Sequence, residues 1–146
     1  MLMVALGCAV RAVAADTDPP AQPSRVVRAI DWRTSPLDLD LRGLNGERFR
    51  FRCPPGKPMP DLLAGDRIYT DSSPICTAAV HAGTLRPGEG GLVSIEILPG
   101  RLAYRGASRH FVTSRAFDGA WGGSFVVRPI GGPAAAGTVP AAGAPR

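Results

Sequence analysis

Arg101, Arg105, Arg109, His110 and Arg115 fall between Glu96 and Asp118 with no acidic residue among them. Tyr104, Phe111, Phe117 and Trp121 are interleaved with them or follow closely. An arginine fork holds phosphate or carboxylate through two parallel hydrogen bonds, and an aromatic face covers a sugar ring or an apolar group. The stretch therefore carries the chemistry of a surface for anions or acidic glycans. Its candidate ligand contacts are Arg101, Tyr104, Arg105, Arg109, His110, Arg115 and Trp121. The plainer alternative sends the arginines to solvent and the aromatics to the core.

Catalytic chemistry has less to stand on. His81 has no His, Cys or carboxylate at helical spacing, which a metal site needs, so a hydrogen-bonded core residue near a helix C-terminus is the expectation. Asp71, Ser72, Ser73 and the two histidines could be drawn as a hydrolytic triad, but no nucleophile elbow is present. Ser72 and Ser73 are better read as helix caps. Glu96 and Asp118 stand alone, without the paired carboxylate of a glycosidase. Phosphate loops of the GxxxxGK or GxGxxG type are missing, and no nucleic-acid signature appears. A non-enzymatic protein without cofactor or metal is expected.

The elements that must hold these side chains read as follows. Leu37, Leu39 and Leu41 alternate with Asp38 and Asp40, and Phe49, Phe51 and Cys53 alternate with Arg48, Arg50 and Arg52. Each pattern is that of a half-buried strand, and the intervening Asn45-Gly46 predicts a hairpin turn between them. Asp38 and Asp40 would then face arginines across it. The Pro-rich run from Pro54 to Pro60 is a loop. Asp71-Ser72-Ser73 offers N-caps, Pro74 suits a first helical turn and Gly83 suits the left-handed residue after a helix. Apolar residues on more than one face predict that this helix is buried from several sides. Val93, Ile95 and Ile97 form a further strand ended by Pro99-Gly100. Shorter candidates lie at 102–105, 111–115 and 124–128. One central helix with five or six short strands is an α+β domain.

A chain of 146 residues holds one such domain with flanks, and its 18 Gly and 15 Pro assign much of it to turns and tails. Residues 1–15 are apolar and end in Ala12-Val13-Ala14-Ala15, the small residues of a signal-peptide cleavage site, although Arg11 interrupts the run. Cleaved export to a secreted or periplasmic location is expected. Lipoprotein anchoring through Cys8 is the alternative. Residues 16–31 read as a linker, 32–129 as the domain and 130–146 as a disordered Gly/Pro/Ala tail. No apolar run is long enough to span a membrane. With Cys8 in the signal, Cys53 and Cys76 remain as an even pair, and an exported setting favours a bridge over two buried thiols. The formal charge is +5, and Lys57 is the only lysine. No block of like charge forms a nucleic-acid tail.

Tyr69-Thr70-Asp71-Ser72-Ser73-Pro74-Ile75-Cys76-Thr77-Ala78-Ala79-Val80-His81-Ala82-Gly83 resembles the central signature of the LCCL domain. The likeness continues in order through Gly90-Gly91-Leu92-Val93, Leu98-Pro99-Gly100, Tyr104-Arg105-Gly106, Val112-Thr113-Ser114 and Trp121-Gly122-Gly123-Ser124-Phe125, and covers residues 39–128. It implies a central buried helix wrapped by two small twisted antiparallel β-sheets. The chain departs from the family in two places. Cys53-Pro54-Pro55-Gly56 is followed by Lys57 where many members have another cysteine, so at most one bridge forms. Before Val112 stands His110-Phe111 in place of the usual Asn-Gly turn. Phe111 tolerates positive φ poorly, so a turn of different build is expected.

LCCL domains occur in secreted and cell-surface proteins and have been linked to lipopolysaccharide and other polysaccharides. The resemblance therefore implies an exported binding module for an anionic polysaccharide, lipopolysaccharide or another envelope component. A structural or protein-interaction domain of the envelope, without a small ligand, is the alternative.

Overall fold

The computed structural model describes residues 26–130. The signal peptide, Cys8, most of the linker and all but the first residue of the tail lie outside the described residues. In chain order the elements are β1 (Val27–Ala29), β2 (Arg48–Cys53), a 3-10 turn (Pro60–Leu62), β3 (Gly65–Asp66), β4 (Ile68–Thr70) and α1 (Ile75–His81). They continue with β5 (Gly91–Pro99), β6 (Ala103–Tyr104), β7 (Ser108–Arg109), β8 (Val112–Thr113), β9 (Phe117–Asp118) and β10 (Gly123–Arg128).

Six strands form one sheet in the order β1-β2-β5-β10-β4-β3, and two ribbons, β6-β9 and β7-β8, stand apart. The nine-residue β5 is its spine, paired antiparallel to β2 on one side and to β10 on the other. Alternation puts Val93, Ile95 and Ile97 on one face with Phe51 and Phe125, all buried. Each of these large side chains contributes about 1.5–3 kcal/mol by leaving water. The described residues are thus mostly β with one α-helix, an α+β domain. Two antiparallel sheets are not what the described residues form: β5 pairs with both β2 and β10 to make one six-stranded sheet, mixed because β1 joins β2 in parallel, and two ribbons complete the set.

All seven residues of α1 are buried. Ala78 and Ala79 keep the helix slim, and it packs against β5 and β8. Its end is a Schellman closure. Gly83 N–H donates to Val80 O, Thr84 N–H donates to Ala79 O, and Gly83 takes φ of +85°. Its start differs from expectation. Pro74 is the N-cap and no side chain caps the helix. The Ser73 hydroxyl instead bonds Ala64 and Thr70, closing the corner that leads from β4 into the helix. Cys53 and Cys76 are joined by a disulfide, tying the end of β2 to the first turn of α1.

The hairpin expected across residues 37–53 does not form. Pro36 has no N–H to give a ladder, and Asp38 accepts from both the N–H and the hydroxyl of Ser35, so the segment folds into successive turns. Only Leu41 of its three leucines is buried. Arg48 therefore faces Glu96 of β5, which it shares with Arg128, and neither Asp38 nor Asp40. The stretch read as a linker contributes β1, an exposed edge strand.

Candidate binding site

The β6-β9 ribbon leans against β4 and leaves a cleft of about 750 Å³, walled by Arg101, Tyr104 and Arg105 on one side and by Asp66, Ile68 and Asp118 among others. Tyr104 is buried, and its hydroxyl is already engaged with Ser124 Oγ at 2.6 Å and with the Arg101 N–H at 3.1 Å. It offers the cleft no free hydroxyl. Arg101 and Arg105 are exposed and form no ion pair among the described residues. At Gly106 a Cβ would press on the backbone of Ala116 and Ser114, so glycine is what lets the two flanks of the cleft approach.

Arg109 is occupied. Its Nε and Nη2 donate to Asp66 at 2.6 and 3.1 Å, a fork that ties β7 to β3. These hydrogen bonds hold the Asp66 carboxyl below the usual carboxylate range and raise the Arg109 guanidinium above its own. The His110 Nδ1–H donates to His81 O at 2.9 Å, taking up a carbonyl at the end of α1. Its ring fills the space over Gly83 that any Cβ would need. Arg109 and His110 line a second depression of about 300 Å³ with Arg67, Ala82, Val126 and Val127. Arg115 has an exposed side chain, and its backbone registers the chain against Leu63 and Gly65.

Trp121 lies in neither depression. Its indole Nε1–H donates to Asp71 Oδ1 at 2.7 Å, its ring carries the Arg42 guanidinium 5.6 Å from the centroid, and its edge meets Phe117. Asp71 is buried and takes two further bonds from Arg42, at 2.7 and 2.8 Å. Asp71 raises the Arg42 pKa by accepting that fork. A Cβ at Gly123 would collide with this carboxylate and one at Gly122 would crowd the Arg42 guanidinium, so the two glycines make room for the pair. The sequence reading missed this cluster. The signal was present in Trp121-Gly122-Gly123, an aromatic followed by two residues without side chains, and in an acid immediately ahead of an apolar helix.

Of the seven candidates, the structure brings Arg101, Tyr104 and Arg105 together. It places Arg109 next to them through Asp66 and separates His110, Arg115 and Trp121. His81 is a buried core residue. Its Nε2 lies 2.9 Å from Ala107 O, a carbonyl that can only accept, so Nε2 carries the proton and Nδ1 accepts from the Tyr69 hydroxyl at 2.8 Å. The residues of a hydrolytic triad are spent elsewhere: Asp71 on Arg42 and Trp121, Ser73 on Ala64, and His81 on Tyr69. Among the described residues no three His, Cys, Asp or Glu side chains are placed to hold a metal ion, and no helix is long and apolar enough to cross a membrane. The turn before Val112 also overturns expectation. His110 and Phe111 take φ of +51° and +64°, the positive values that a tight hairpin turn demands, without glycine or asparagine.

A disulfide-tied α+β module with a cleft at its β6-β9 ribbon, lined by two arginines and two aspartates, is the class this structure defines. The chain belongs to the LCCL domain family, whose model matches residues 30–125. It is 34% identical over 90 residues to cochlin of Homo sapiens, covering 61% of this chain and 16% of cochlin. Vitrin of Bos taurus is 34% identical over 94 residues, covering 62% of this chain and 14% of vitrin. Cysteine-rich secretory protein LCCL domain-containing 1 of Mus musculus is 35% identical over 71 residues, covering 49% of this chain and 14% of that protein. The chain thus spans about a sixth or less of the length of these relatives.

Proposed function

We propose that this protein is an exported binding module which takes an anionic polysaccharide, lipopolysaccharide or another acidic envelope component into the cleft at Arg101, Tyr104 and Arg105. The observation that carries this reading is the pair of arginines, without ion-pair partners among the described residues, set beside the buried Tyr104 in a cleft of about 750 Å³. Forks that are not already neutralised are available to phosphate or carboxylate, whereas Arg109 is spent on holding the cleft wall in place. Asp118 gives the opposite rim a hydrogen-bond acceptor for sugar hydroxyls.

Export is supported by the Cys53–Cys76 bridge, which belongs in an oxidising compartment, and by a relative whose name describes a secretory protein. Binding rather than catalysis is supported by the way Asp71, Ser73 and His81 are consumed in structural hydrogen bonds. A protein-interaction role without a small ligand is favoured by one observation, the exposed Leu102 between Arg101 and Ala103.

The test is binding of the oxidised protein to lipid-free acidic polysaccharides across a salt titration. Saturable binding that weakens with salt and is lost in the Arg101→Ala, Arg105→Ala double variant supports the cleft. Absence of binding at low salt moves the reading to a protein partner.

A further inference from the structure

Non-glycine residues in the left-handed backbone region are uncommon, and here three of the four described ones meet in one place. Arg67 (φ +67°) forms the turn between β3 and β4, while His110 and Phe111 form the turn between β7 and β8. The Asp66–Arg109 fork staples the two turns together, and Arg67, Arg109 and His110 line the same depression. For a bulky side chain such φ values are strained, and strain of this kind gathers where a ligand is clamped.

The strain is held in place by identifiable ties. His110 is anchored inward through His81 O, Arg109 is anchored through Asp66, and Ser108 Oγ bonds Thr113 Oγ1 across the ribbon at 2.7 Å. What these ties leave pointing outward is Phe111, with a relative exposure of 110%, the largest among the large apolar side chains described. Asparagine or glycine would relax this turn. A phenylalanine there costs stability in two ways, through its backbone and through an apolar ring left in water.

The surroundings of Phe111 decide what would cover it. The adjoining depression has Ala82, Val126 and Val127 beside Arg67, Arg109 and His110, and no acid lines it. Arg67 forms no ion pair among the described residues. Phe111 is a protruding knob rather than the wall of a groove, so it fits a fluid medium without needing a matching pocket. An exposed aromatic knob beside a free arginine, here Arg67, is the pattern of a side chain that enters the boundary between lipid headgroups and acyl chains. We propose that the two stapled turns form a docking platform for an anionic lipid bilayer, with Phe111 inserted at the interface and Arg67 on lipid phosphate. This surface is separate from the cleft assigned above and does not depend on it.

The experiment uses the oxidised protein and glycan-free vesicles of phosphatidylcholine, with and without phosphatidylglycerol, in a sedimentation assay. Binding to the anionic vesicles is expected. Phe111→Gly should lower the partition coefficient by about tenfold or more. Arg67→Gln should lower it by about fivefold. Phe111→Gly should at the same time raise the thermal midpoint by about 4 °C, because the turn is relaxed. A variant that gains stability and loses binding excludes misfolding as the reason for the loss. Phe111→Trp should retain binding, and brominated lipids should quench it beyond the level seen with Trp32 and Trp121 alone. Failure to bind anionic vesicles, or equal binding by wild type and Phe111→Gly, overturns the proposal. Because these vesicles carry no sugar and the cleft assay carries no lipid, either reading can fail without the other.

Discussion

The hydroxyl of Tyr69 donates to Nδ1 of His81 at 2.8 Å, and both residues are wholly buried. This bond joins β4 to the last turn of α1, while the other ring nitrogen of His81 reaches Ala107, just ahead of β7. One imidazole thereby ties sheet, helix and ribbon. Burial pushes the Tyr69 phenol up to about 12 from an ordinary value of 10.0.

A titration follows from that shift. Below pH 10 folded and unfolded chains both hold the Tyr69 proton. Between 10 and about 12 only the folded chain does, so this group's contribution to stability declines as the pH rises through that window. Phenolate absorbance should show a late step near pH 12 that vanishes in Tyr69→Phe. That variant leaves His81 Nδ1 buried without a donor and should lose about 1–3 kcal/mol in urea unfolding. A late step that persists in the variant would mean that Tyr69 is not its source.

The disulfide makes a second prediction. Cys53 closes a loop of sequence separation 23 onto Cys76, and such a cross-link restricts the unfolded chain by about 3 kcal/mol. The Cys53→Ala, Cys76→Ala double variant should unfold at lower urea by that amount. Both sulfurs sit in the core, so mild reductant should act on the folded protein only through its unfolding. Rapid reduction of the native protein would contradict that burial.

How much of this was legible depends on the length of the signal each residue set produces. Pro74 and Gly83 punctuate α1 so strongly that its limits are plain, and β5 and β10 are long enough for a period to appear. Strands such as β3, β4 and β7 have two or three residues and no period at all. Leu37, Leu39 and Leu41 do alternate, but Pro36 and Asp38 direct the backbone into turns, and a period of two cannot separate these outcomes. At the site, Arg101, Tyr104 and Arg105 were visible because they are neighbours in sequence. What neutralises Arg109 lies 43 residues away, and what holds Trp121 lies 50 away, so neither could be found from composition or spacing.

Acid should loosen the β7-β8 ribbon before the rest. The Arg109 fork depresses the Asp66 pKa below 3.8, so its contribution to stability is complete above that value and is lost as the pH falls below it. Hydrogen exchange at pH 3 against pH 6, corrected for the intrinsic rate, should show faster opening in β7 and β8 than in β5. Asp66→Asn should remove most of that pH dependence. A ribbon equally protected at both pH values would show that the fork is dispensable for it.

The Arg42–Asp71 pair should be the most sensitive polar contact in the protein. Asp71 is 1% exposed and accepts three bonds, two from Arg42 and one from Trp121. Arg42→Ala removes two of the three and leaves a carboxylate packed against Gly123. A fully buried pair broken in this way loses about 3–5 kcal/mol. The Arg42 side chain is 40% exposed, however, so water can enter where it stood, and a loss of about 2 kcal/mol is expected. Arg42→Lys keeps the charge but not the planar fork or its stacking on Trp121, and should recover only part of that loss. Trp121→Phe removes the third bond while keeping an aromatic ring beside Phe117, and should cost about 1 kcal/mol. Since Arg42 and Trp121 share one carboxylate, the double variant should depart from the sum of the two single losses in urea unfolding. Strict additivity would mean that the two side chains stabilise the fold independently, and that Asp71 does not bind them into one unit.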